Sequence, residues 1–196
     1  MKCSLFLILI YCASSSASSS EWKFSQLNTH QGAFCLGLLT GFAGHELGHF
    51  AVAGAEGIKA EYDGVTIVYP NESLSDKDRL RVASAGFQAQ WLISEAALRY
   101  RSYHTLTDEG DNFNAGLVWA HLGITAAYLT VLRTHKDGDI EGMSLATGIS
   151  NDHLALMVAI PAALDAWRLM GTGVPGWVPI VSVGSKGLGI GAIWSF

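Results

Sequence analysis

The chain has 196 residues, room for one domain or one small bundle of helices. Apolar residues make up 49% and charged residues only 15%, with 22 glycines, a balance that points to a membrane protein more than to a soluble enzyme. The net charge of −5 leaves no basic face to neutralise phosphates, so nucleic acid is excluded as a partner.

Residues 1–20 combine one lysine, an apolar core from Leu5 to Cys12 and a run of small residues, the pattern of a cleaved signal peptide. That core is shorter than the roughly 20 residues a bilayer-spanning helix needs. Cys3 and Cys12 leave with it, and Cys35 sits in an apolar run, so no disulfide framework is expected. The remainder, 21–196, reads as a single membrane-embedded domain. From 31 to 54 the chain is almost uncharged apart from His45-Glu46-Leu47-Gly48-His49, and long enough to span. Gly37, Gly41, Gly44 and Gly48 recur at helical spacing, which lets neighbouring helices approach closely. Residues 57–70 are β-branched and aromatic around Asp63-Gly64, a short hairpin. Ser75-Asp76-Lys77-Asp78 offers a helix start for about 79–100, and Gln88 and Gln90 interrupt its apolar stretch. A polar loop at 99–112 leads to a spanning candidate at 113–132, broken by Asn114 and His121. A polar cluster follows at 133–142, then apolar segments at 153–170 and 174–196. The expected fold is an all-α membrane bundle of about four to five transmembrane helices, with a small β-hairpin after the HExxH helix.

HExxH carries the chemistry. On a helix, positions i and i+4 share a face, so His45 and His49 can offer imidazole nitrogens to one metal ion. Glu46 stands beside them, placed to take a proton from a metal-activated water. A catalytic Zn2+ site uses three protein ligands and leaves the fourth position open. With spans at 31–55, 80–98, 113–132, 151–170 and 174–195, the lysine and arginine distribution puts the loops after the first and third spans in the cytoplasm. His49 lies about six residues, or about 9 Å, from that end of its helix. Asp137-Gly138-Asp139 emerges on the same side, so either aspartate can complete the site; Glu141 and Asp152 are more remote candidates. Asp and Gly also favour caps and turns, which is the competing role for that cluster.

This order of motifs resembles the site-2 protease family of intramembrane metalloproteases, over about Leu36 to Met143. HELGH at His45–His49 is its strong part. Val52–Lys59 is similar to the family's passage into a hairpin, Ala85-Gly86-Phe87-Gln88-Ala89-Gln90 to its later helix start, and Asp137-Gly138 to its third-ligand motif. Phe87 and Gln90 stand where that family has Pro and Asn. The resemblance implies a zinc metalloprotease cleaving membrane-associated protein or peptide substrates in contact with the lipid bilayer. It implies His45, His49 and Asp137 as ligands, with Asp139 the alternative, and Glu46 as general base. The apolar spans and the lysine and arginine distribution make it a multi-pass membrane protein whose active site faces the cytoplasmic side. The competing readings are a non-catalytic membrane scaffold that keeps the protease-like fold, and a soluble zincin anchored at the surface, with Glu141 or Asp152 as third ligand and the apolar runs as globular core.

Overall fold

The computed structural model describes residues 29–62, 67–70 and 73–170. The expected signal peptide at 1–20 and the last apolar segment at 174–196 lie outside the described residues. Among the described residues five helices and one pair of strands follow in order: α1 (Gln31–Ala55), β1 (Glu61–Tyr62), β2 (Ile67–Val68), α2 (Asp76–Tyr103), α3 (Asp108–Thr130), α4 (Asp139–Thr147) and α5 (Asn151–Met170). The strands pair antiparallel, Glu61 opposite Val68 and Tyr62 opposite Ile67.

Local chemistry sets the helix ends. Ser75 Oγ accepts from the Asp78 amide at 3.2 Å and starts α2, and Thr107 caps Gly110 in the same way at α3. Gly148, at φ +70°, ends α4 in the left-handed conformation that glycine adopts without strain.

α1 packs against both α2 and α3, and α4 and α5 close the other side of that pair. On α1 the buried residues are Gly37, Gly41, His45, His49 and Ala53, a strict i, i+4 stripe. The N-terminal half of that stripe lies against α3. A Cβ at Gly37 would fall 2.0 Å from the Phe113 carbonyl oxygen, and one at Gly116 would fall 2.2 Å from that of Phe34. Further along, Gly44 abuts Ile93 and Gly48 abuts Ala85 and Ala89 of α2. At Gly37, Gly48 and Gly116 a Cβ would strike backbone of the neighbouring helix, a closeness that glycine permits, whereas Gly44 faces the tip of the Ile93 side chain. Beneath, Leu80, Phe87, Tyr128, Ile140, Met143, Leu154 and Val158 form one apolar core. Ala97, Leu98, Ala115, Val118 and Leu169 form a second.

Between them lies a buried ionic hub. Asp165 is fully buried. It accepts from Ser94 Oγ at 2.6 Å, His121 Nδ1 at 2.9 Å and Arg168 at 3.1 Å. Arg168 and Arg99 both donate to Glu95. Two carboxylates thus meet two guanidiniums, the balance that lets charges stay buried.

The expectation of a membrane bundle is corrected here. None of the described helices is long and apolar enough to cross a membrane. At 25 residues α1 has the length, about 37 Å. Its glycines and the His45-Glu46-His49 group dilute its hydropathy. α2 opens on Asp76-Lys77-Asp78-Arg79 and ends near Arg99 and Arg101. α3 spends its first turn on Asp108, Glu109 and Asp111, and α5 carries Asp152, Asp165 and Arg168. The multi-pass localisation falls with the spans, and so does the placing of the site by membrane depth on a cytoplasmic side. The polar cluster at 133–142 supplies a turn, the N-cap Gly138 and the first turn of α4, the cap-and-turn role that Asp and Gly favour.

The glycine contacts make a prediction with two signs. Gly37→Ala should destabilise the fold by about 1–3 kcal/mol, because the backbone at Phe113 has to move. Gly123→Ala, at an α3 position with nothing within 4 Å, should stabilise it by about 1 kcal/mol. Urea unfolding of both variants checks this; the same sign for both would contradict the packing described.

Candidate metal centre

His45 and His49 are each 3% exposed, pressed into the seam between α1 and α2. Their outer nitrogens are fixed from behind. The Gln90 amide nitrogen donates to the Ala120 carbonyl at 3.3 Å, which turns its Oε1 toward His45 Nδ1 at 3.2 Å. His49 Nδ1 donates to the Val82 carbonyl at 2.7 Å. With both Nδ1 atoms engaged as donors, both Nε2 atoms face inward, 3.3 Å apart.

The third group is Asp139, at the first position of α4. Its Oδ2 lies 2.9 Å from His45 Nε2 and its Oδ1 3.3 Å from His49 Nε2. His45, His49 and Asp139 form a buried cluster that could hold a metal ion. The spacing fits a small one. Bonds of about 2.0–2.1 Å in a tetrahedral arrangement separate ligand atoms by about 3.3–3.4 Å.

Gly86 shapes the same place. A Cβ there would stand 2.5 Å from His49 Nε2 and 2.6 Å from His45 Nε2, in the hollow the ligand atoms surround. The absence of a side chain on α2 at this point keeps that hollow open.

Electrostatics agree with the geometry. Burial disfavours a charged His49, but the Asp139 carboxylate, the Val82 carbonyl and Glu46 outweigh it and raise its pKa to about 9. Burial pushes Asp139 up, yet the two histidines dominate and hold its carboxyl well below the usual range. Asp139 thus favours a positive charge at His49, a proton that a metal ion binding there would displace. Glu46 is half-buried, and burial raises its pKa against the opposing pull of His45 and His49. Its Oε2 is buried with no hydrogen-bond partner. Tyr69, just after β2, is raised by burial and then by the charges of Asp139 and Glu46.

Of the two aspartates expected as third ligand, the structure brings Asp139 to the histidines. Asp137 is exposed, in the turn before α4, with a left-handed backbone at φ 67° that Asp tolerates better than most residues. Glu141 accepts from Asn151 at 2.7 Å, and Asp152 pairs with Arg133 at 3.1 Å, both in other contacts. Gln90, 1% exposed, stands behind His45 and is turned to ligand support instead of solvent. Tyr128, whose hydroxyl donates to Asp139 Oδ2 at 2.9 Å, escaped the sequence reading altogether. A lone tyrosine in an apolar run carries no signal of such a role. Gly86 lies in the Ala85-Gly86-Phe87 stretch, where the sequence alone gives no reason for a glycine.

Compared with known proteins, the chain matches no family model, no curated protein and no solved structure. The site must therefore be judged on its own residues.

Zinc content after loading and dialysis tests the arrangement. Asp137→Asn should keep the metal, and Asp139→Asn should lose it. Gly86→Ala should weaken binding by roughly tenfold or more with every ligand still present. Undiminished zinc in Gly86→Ala would contradict the hollow described.

Proposed function

We propose that this chain is a zinc-dependent peptidase, with zinc held by His45, His49 and Asp139 and with Glu46 as general base. The observation that carries the proposal is the convergence of two imidazoles and a carboxylate beside a carboxylate oxygen that has no partner, Glu46 Oε2. Two nitrogens and one oxygen at these spacings suit zinc and do not suit calcium or magnesium, which take oxygen ligands. Once bound, zinc supplies Lewis acidity toward a carbonyl and lowers the pKa of water.

The other roles belong to the chain. Gln90 and the Val82 carbonyl hold the imidazoles in the tautomer that turns Nε2 inward. Glu46, adjacent to His45 in sequence and free at Oε2, receives a proton from the attacking water and returns it to the leaving amine. The similarity of HELGH and the motifs after it to site-2 proteases supports a peptide bond as the target.

The test is hydrolysis of an unfolded protein substrate, with products read by mass spectrometry. Glu46→Gln should lower the rate by about 10²–10⁴-fold and keep its zinc. His45→Ala should lose both. Wild-type rates in Glu46→Gln would remove the catalytic reading, and zinc-free wild-type protein would remove the metal.

A further inference from the structure

Asp139 meets the centre with two oxygens that are not equivalent. Oδ2 accepts the Tyr128 hydroxyl at 2.9 Å and lies on the His45 side; Oδ1 faces His49 and accepts no such donor. Tyr128 is itself held firmly. It is 8% exposed, its ring stands edge-on to Phe87 at 4.8 Å, and it lies tilted against His45 at 6.3 Å. A phenol fixed by packing is a donor that cannot swing away. A carboxylate can ligate through one oxygen or both, and a hydrogen bond on one oxygen draws electron density from it and takes up one of its lone pairs.

We propose that Tyr128 is a positioning residue that commits Asp139 to bind the metal through Oδ1 alone. It rests on the metal reading given above and adds what keeps a coordination position open. If both oxygens bound, the carboxylate would add a fifth ligand atom and crowd the position that a catalytic centre leaves to water or substrate. Tyr128 touches neither; it acts through Asp139. Its place in α3, one helix away from Asp139, ties the ligation mode to the side-chain contact of Tyr128 with Asp139 and its neighbours Ile140 and Met143.

The experiment uses the full chain loaded with cobalt(II), whose visible absorption weakens and shifts as coordination rises from four to five, and zinc affinity by competition with a chromophoric chelator. Tyr128→Phe keeps the ring and removes the hydroxyl. It should lose intensity in the cobalt bands and change zinc affinity by roughly 10- to 100-fold. Tyr128→Met, lacking ring and hydroxyl, should give the same spectrum as Tyr128→Phe. The metal-free unfolding midpoint of Tyr128→Phe should stay close to wild type, which separates positioning from folding. A Tyr128→Phe protein with wild-type cobalt spectrum and zinc affinity overturns the proposal and leaves the metal centre standing. Wild type that takes up neither ion overturns both.

Discussion

The centre depends on how closely α1 can approach α2. Gly48 rests against the Ala85 carbonyl, and Gly86 answers from the other side by presenting no side chain to the imidazoles. At that separation His45 and His49, one turn apart, reach the point where Asp139 arrives from α4. A single methyl group at either glycine meets backbone or ligand atoms and not open space. Interiors are packed too densely to absorb such a change without displacing something. The geometry of the His45–His49–Asp139 cluster is thus a property of two helix backbones before it is a property of its side chains.

The polar groups that this seam buries are satisfied in a way that orients them. Burying an imidazole or carboxylate without partners costs several kcal/mol, so each partner both offsets a cost and selects a rotamer. Gln90 serves Ala120 with its nitrogen and His45 with its oxygen, which leaves it one orientation. Asp165 does the same for the far end of the bundle, gathering Ser94, His121 and Arg168 from three helices. Removing one member of such a hub strands the others, which is why buried pairs are costly to break even when they add little by existing.

Much of the centre was legible in the residues. The i, i+4 spacing put His45 and His49 on one face, and the same spacing put Gly37 and Gly41 on the stripe that contacts α3. Ser75 announced the start of α2, and Asp63-Gly64 lay between the two paired strands. The membrane reading failed because apolar composition was averaged over segments. Each helix carries enough glycine, histidine or terminal charge to fall short of a span. The choice between Asp137 and Asp139 was not legible either. It turns on one backbone angle, 67° at Asp137, which puts that residue in the turn and opens α4 two residues later. Asp-Gly-Asp suits both a turn and a helix start, so composition could not separate them.

His45 and Asp139 are 94 residues apart in the chain. An ion shared between them is a reversible cross-link closing a loop of that size, and the entropy it removes from the unfolded chain grows with the logarithm of the loop length. Unfolded, the chain keeps only the neighbouring pair of histidines and forfeits the carboxylate. With an ion bound, its retention and the closure of the bundle would be one equilibrium, and losing Asp139 from it would also remove the long-range restraint.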